Sequence, residues 1–127
     1  MDWKEKFAYD LCCKAIDKEK ALSAINNFAA EMENVLNMYC VKNSDIEIDE
    51  SKNTIRICNN IINWDITGEK FELNSNNGRS VNIFIYKNKY KVRYCENNSA
   101  KKSGIYILNN SNSYNDYVDK AFEYLLI

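Results

Sequence analysis

The first 40 residues carry apolar residues at helical spacing. Trp3, Phe7 and Leu11 step by four along the chain, and the pattern lapses over the polar residues 17–20. It then resumes with an apolar stripe at Leu22, Ile25, Phe28, Ala29, Met32, Val35, Leu36 and Tyr39. Positions three and four apart share one face of a helix. The lapse favours two helices, the second capped by Asp17, over one long rod, and both stripes are predicted to be core.

Near residue 44 the period changes from 3.6 to 2. Residues 45–49 and 54–58 alternate apolar with polar positions around the polar segment 50–53, which predicts a β-hairpin. Further strands are predicted at residues 62–66, 71–73, 81–86, 89–94 and 105–108, with 96–103 as a loop. Because residues 81–86 are apolar on both faces, we expect that strand in the interior of the sheet.

The chain ends on a third helical stripe, with Ser113 as the expected N-cap and Asp116 in the first turn. Helices, then hairpin-connected strands, then a helix is typical of an α+β fold. We predict one domain, with a helix or helix pair over 1–41, an antiparallel meander of five to seven strands over 45–108, and a helix over 113–126 packed on the sheet. One sheet face is expected to be covered by helices and the other to face water.

Composition excludes several kinds of chemistry. The absence of histidine removes Ser-His and Cys-His nucleophile pairs and His-ligated zinc. The three glycines are isolated, which excludes Gly-rich phosphate loops. The five cysteines form no CxxC pair, so we expect free, inert thiols. No metal and no cofactor are predicted.

The chain also lacks membrane and export signals. No apolar run approaches the roughly 18 residues of a membrane span, and the N-terminus lacks the apolar segment of a signal peptide. We therefore expect a cytoplasmic protein with no membrane partner.

The net charge is −1, but the charges are segregated. Residues 31–50 hold six acidic residues against Lys42 alone, a local charge of −5. Residues 81–104 hold six basic residues against Glu96 alone, a local charge of +5. Such asymmetry points to two candidate contact surfaces.

The acidic candidate is the first hairpin, where Asp45, Glu47 and Asp49 alternate along one strand and Glu50 follows. Three carboxylates on one wet face are typical of solvated edge protection, or of a docking surface for a basic protein such as a toxin or nuclease. Side chains on one face of a strand lie roughly 6.6–6.8 Å apart, too far to share one small cation. We predict these four residues as the partner-binding site.

The basic alternative is Lys89, Lys91 and Arg93, which lie on one face of a later strand. A basic strand can bind nucleic acid or an acidic partner. Alternation places the neighbouring Tyr90 and Tyr94 on the opposite face, which weakens a stacking role. The acidic and basic stripes are also able to pair across strands and cancel.

The chain is short, histidine-free, locally acidic and rich in residues with A/T-rich codons. In these general properties it resembles toxin-neutralising immunity proteins and phage-encoded inhibitors of host defence. These share size and charge but no motif. The resemblance implies a non-enzymatic protein that binds and inhibits a macromolecular partner. The alternatives are a small nucleic-acid-binding module and a histidine-free enzyme using carboxylates. The oligomeric state is left open, a homodimer included.

Overall fold

The computed structural model describes residues 2–12, 15–41 and 46–127. It confirms the α+β fold, with helices at both ends and a seven-stranded antiparallel sheet between them. The elements are α1 (Trp3–Cys12), α2 (Lys18–Met38), β1 (Ile46–Asp49), β2 (Thr54–Ile57), β3 (Asn60–Ile66), β4 (Lys70–Ser75), β5 (Arg79–Tyr86), β6 (Lys89–Glu96), β7 (Ser99–Tyr106) and α3 (Ser111–Leu126). Across these described ranges, no helix combines the length and apolar character needed to cross a bilayer.

Each strand pairs with its sequence neighbours, so the sheet order is β1-β2-β3-β4-β5-β6-β7. Two of the hairpins turn on residue pairs that both have positive φ, Lys87-Asn88 and Asn97-Asn98. Such two-residue turns match the right-handed twist of the strands they join, and asparagine tolerates the left-handed region better than most residues. Short asparagine-containing turns therefore produce a meander.

One face of the sheet carries the core. Alternate strand residues such as Ile55, Leu73 and Ile83 are fully buried, and they form one cluster with the inward faces of α2 and α3. Phe28 of α2 stacks on Phe122 of α3 with ring centroids 4.2 Å apart. The buried strand residues all belong to this face, which is the covered face predicted from the alternation.

The helix starts are defined by side-chain caps. Asp17 accepts a hydrogen bond from the Lys20 backbone N–H at 3.1 Å, which confirms it as the N-cap of α2 and confirms two helices. The N-cap of α3 is Asn110, and the predicted Ser113 occupies N3, where it completes a capping box. The expected cap was wrong by three residues, and Asp116 lies in the second turn.

Two further expectations are corrected. Trp3 and Phe7 of α1 are 74% and 62% exposed, and Val35 and Tyr39 at the end of the α2 stripe are 43% and 74% exposed, so these four residues are not core. The side chain of Leu11 lies outside the described part of the structure. The predicted loop over 96–103 is mostly strand, because the turn at Asn97-Asn98 lets β7 begin at Ser99. The last strand correspondingly ends at Tyr106 instead of residue 108.

Three of the five cysteines lie within the described residues with defined side chains. Cys40, Cys58 and Cys95 are free thiols.

Candidate functional site

The sheet face opposite the core is exposed, and we call it the open face. Its charged residues, with the apolar side chains beside them, fall into two groups, one on β1 to β4 and the other on β5 to β7. The first group, here the acidic half, consists of Glu47, Asp49, Arg56, Asp65, Lys70 and Glu72 on β1 to β4. The second group, here the basic–aromatic surface, consists of Phe84, Tyr86, Lys89, Lys91, Arg93 and Ile105 on β5 to β7. The register that defines the core face also places each group on the open face.

Within the acidic half, the cations are paired with carboxylates. Arg56 lies opposite Glu47 in the β1–β2 register, and its Nη2 is 2.9 Å from Glu47 Oε1. The Lys70 Nζ lies 3.1 Å from Asp65 Oδ2 and 3.6 Å from Glu72 Oε2. Hydrogen bonding to Asp65 and the charge of Glu72 raise the pKa of Lys70. The acidic half therefore neutralises much of its own charge.

Asp49 has a structural role in the β1–β2 turn. Its carboxylate accepts hydrogen bonds from the Ser51 N–H at 3.0 Å, the Ser51 hydroxyl at 2.5 Å and the Lys52 N–H at 3.3 Å. The Ser51 hydroxyl bond is the main reason that the pKa of Asp49 is lowered. Glu50 follows in the turn and is exposed. Asp45 lies outside the described residues.

The basic–aromatic surface is built by two adjacent strands. On β6, Lys89 and Lys91 lie opposite Tyr86 and Phe84 of β5 in the antiparallel register. The Lys91 Nζ is 4.5 Å from the centroid of the Tyr86 ring, and the Arg93 Cζ is 5.1 Å from the centroid of the Phe84 ring. These are cation–π distances, so the rings hold the charged groups in place along the face.

No carboxylate in the described part of the chain neutralises these three cations. Among the described residues, the ion pairs do not include Lys89, Lys91 or Arg93. A cation–π contact orients an ammonium or guanidinium group without cancelling its charge, unlike a salt bridge. The surface therefore presents fixed positive charge beside exposed apolar side chains, with Tyr86 46% and Ile105 63% exposed.

The aromatic part of this surface, Phe84 and Tyr86, was not predicted from the sequence. Tyr90 and Tyr94 lie on the other face, as predicted, where Tyr90 is buried and Tyr94 contacts Tyr124 of α3 edge-on. Alternation along β6 shows only the neighbours of the cations within their own strand, whereas Phe84 and Tyr86 belong to β5. The signal was the two-faced apolar pattern of residues 81–86, since one of those faces had to be the open one.

The acidic and basic stripes do not cancel each other. β1 pairs with β2 and β6 pairs with β5 and β7, so the two stripes are not on neighbouring strands. At the border, Asn82 stands between Glu72 on one side and Arg93 on the other. A neutral amide thus separates the nearest carboxylate of the acidic half from the guanidinium, and the two charge groups remain distinct.

A second candidate is a cleft of about 470 Å³ between the C-terminal half of α3 and strands β5 to β7. Its lining includes Arg79, Tyr94, Lys102 and Lys120. Arg79 is paired with Glu96 at 3.3 Å and Lys120 with Asp116 at 3.2 Å, so two of the three cations are already neutralised. The cations of the basic–aromatic surface are therefore more available to an anion than those of this cleft.

Around Asp116, the polar contacts attach α3 to β7. The Tyr106 hydroxyl donates a hydrogen bond to Asp116 and thereby lowers the pKa of that carboxyl. Burial, followed by the bond to Asp116, raises the pKa of Tyr106 far above its usual range. Within the described ranges, no cluster of three or more acidic or cysteine side chains has the geometry of a metal site.

No protein-family model, curated protein or solved structure matches this chain. The geometry of the open face is therefore the basis for inferring a function.

Proposed function

We propose that this protein binds an acidic macromolecule on its basic–aromatic surface and performs no chemistry of its own. One observation carries the proposal: Lys89, Lys91 and Arg93 form a row of cations that no carboxylate in the described structure neutralises, and aromatic rings hold Lys91 and Arg93 in place. Fixed charge of one sign on a wet face steers an oppositely charged partner and excludes partners of the same sign.

An acidic partner fits the open face better than the basic partner expected from the sequence. Of the four acidic residues predicted as the contact, Glu47 is engaged by Arg56 and Asp49 by the β1–β2 turn. A basic partner would have to compete with those internal contacts. An acidic partner meets cations for which the described residues supply no competing carboxylate.

The small negative charge of the whole chain is compatible with this polarity. Electrostatic steering depends on the local potential, and exposed charges more than about 10 Å away are largely screened at 0.1 M salt. An inhibitory role like that of immunity proteins requires a docking surface and no catalytic group. We therefore retain the inhibitory role but propose an acidic partner instead of a basic one.

Fluorescence anisotropy with two labelled polyanions, oligothymidylate and polyglutamate, tests the proposal. The variant Lys89→Gln, Lys91→Gln, Arg93→Gln removes the row. A matched variant, Lys4→Gln, Lys6→Gln, Lys18→Gln, makes the same change of net charge with exposed lysines of the helices. We expect the native protein to bind at least one polyanion at low salt, the first variant to bind tenfold or more weakly, and the matched variant to bind as the native protein does.

The same assay tests the basic-partner hypothesis with labelled polylysine. The variant Asp45→Asn, Glu47→Gln, Asp49→Asn should leave polyanion binding unchanged. If the protein binds polylysine alone, and this acidic variant abolishes that binding, the contact surface is the acidic half and the proposal is wrong.

A further inference from the structure

We infer that the acidic macromolecule is a single-stranded nucleic acid that lies along β5 and β6, with phosphates over the β6 cations and bases against the β5 rings. The inference rests on the proposed function and adds the class of partner. Its basis is a row of cations on β6 that lies beside a row of aromatic rings on the neighbouring strand β5.

The cations form a straight row. Lys89, Lys91 and Arg93 occupy alternate positions of β6 on the same face. Such positions are spaced by roughly 6.6–6.8 Å, so the row extends about 13 Å along the strand. Lys87, in the adjoining turn with its Nζ 5.3 Å from the Tyr86 centroid, lengthens the row at one end. A regular line of cations suits a polymer whose charges recur at a regular interval.

The rings form a second row beside the first. Phe84 and Tyr86 are also alternate residues, and each lies opposite a lysine of β6. Neighbouring strands are about 4.8 Å apart, so the two rows run side by side. A nucleic-acid strand has this same layout of a charged backbone beside flat bases. Stacking of bases on aromatic rings tolerates any sequence, because every base has a π-face.

The cation–π contacts are compatible with stacking. The guanidinium of Arg93 lies over Phe84, and a base can stack on a guanidinium plane as it does on a ring. The Lys91 ammonium over Tyr86 has a flexible stem and can move to a phosphate when a base takes its place. Binding therefore replaces the ring contacts of these cations and breaks no ion pair among the residues that the structure describes.

The rings and carboxylates of the open face indicate that the nucleic acid is single-stranded, and they limit the part of the sheet that it covers. In a duplex the base faces are already stacked, so only a single strand can present them to the rings. The ring spacing is about twice the ~3.4 Å rise of a stacked strand, which requires splayed bases or alternate ones. Asp65 and Glu72 lie on the far side of β5 and repel phosphates, which confines the strand to β5, β6 and β7.

The test compares three probes of similar charge: oligothymidylate, an abasic deoxyribose-phosphate oligomer of equal length, and polyglutamate. The ring variants are Phe84→Leu and Tyr86→Leu, with Tyr39→Leu as the matched control, since Tyr39 is exposed and distant in sequence. Circular dichroism establishes that each variant is folded. We expect oligothymidylate to bind at least fivefold more tightly than the abasic oligomer, and each ring variant to remove most of that preference. Three phosphate contacts also give log K against log salt a slope of about −2.

Two other results have distinct meanings. If all three probes bind alike, the cation triple abolishes binding and the ring variants do not matter, the nucleic-acid inference is wrong while the proposed function stands with an acidic protein as partner. If no probe binds, both the inference and the proposed function are wrong.

Discussion

The two halves of the open face both carry charged residues on antiparallel strands, but the charged groups contact different kinds of side chain in each half. In the acidic half, Arg56 lies within 4 Å of the Glu47 carboxylate. Lys70 lies within 4 Å of the carboxylates of Asp65 and Glu72. In the basic–aromatic surface, Lys91 and Arg93 lie over rings. Ion pairs neutralise charge, whereas rings orient it and leave it available. The side chains beside a charged stripe thus decide whether its charge is available to another molecule.

The largest expected effect tests whether the rings of β5 belong to a surface. Ile83→Ala removes a fully buried side chain from the core face and should lower the free energy of unfolding by about 2–5 kcal/mol. Phe84→Ala, at the next residue, removes a half-buried side chain from the open face. It should lower the free energy of unfolding by about 1–2 kcal/mol, since less apolar area is lost. Urea denaturation monitored by circular dichroism measures both. Equal losses would show that Phe84 is a core residue, and the basic–aromatic surface would lose its platform.

A smaller effect tests whether the two halves are kept apart by charge. Lys70 lies opposite Phe84, and Asp65 and Glu72 neutralise it. The double variant Asp65→Asn, Glu72→Gln should add a fourth free cation beside the rings. We expect affinity for oligothymidylate to rise roughly three- to tenfold at low salt and the salt slope to steepen by about 0.7.

The control for that variant is the same double change with Lys70→Gln added. It should lose the greater part of the gain in affinity. An unchanged affinity in the double variant would mean that Lys70 is out of reach of the ligand, and that distance separates the two halves.

The smallest effect concerns acid pH and the β1–β2 turn. Because hydrogen bonding lowers the pKa of Asp49 in the folded protein, its ionised form stabilises the fold above the unfolded pKa of about 4. That contribution is lost as pH falls through the lower, folded pKa. Asp49→Asn should therefore show a slightly flatter decline of stability below about pH 4 than the native protein, measured by urea denaturation across pH.

Glu50→Gln, at the adjacent exposed position of the turn, is the matched control for Asp49. It should follow the native acid profile more closely than Asp49→Asn. If both variants flatten the profile equally, the acid response comes from general charge and not from the hydrogen bonds of the turn.

The sequence predicted the fold well because periodicity reports which side chains are buried. The change of period near residue 44 marked the helix-to-sheet boundary, and Asp17 identified the start of α2. The cap of α3 was misplaced because Asn110 and Ser113 are both good capping residues, and only the backbone geometry shows which is N-cap and which is N3. Local preference does not distinguish the two members of a capping box.

The candidate site was only half predictable. Alternation along β6 placed the three cations on one face, but their neighbours depend on the β5–β6 register. A two-residue turn at Lys87-Asn88 sets that register and brings Tyr86 opposite Lys89. The same limit applies to Glu47, whose partner Arg56 is nine residues away in the sequence and directly opposite in the β1–β2 hairpin.

The meander also determines how the chain folds. Every strand pairs with the one made just before it, so the sheet has low contact order and can form hairpin by hairpin as the chain is synthesised. The helices have the opposite character, since the Asp17 N–H donates to the Tyr114 hydroxyl across 97 positions of sequence. Until α3 has been made, the apolar face of a nascent sheet lacks the side chains of Tyr117 and Phe122 that cover it. Nascent chains that stop before residue 111 should thus be the aggregation-prone species during synthesis.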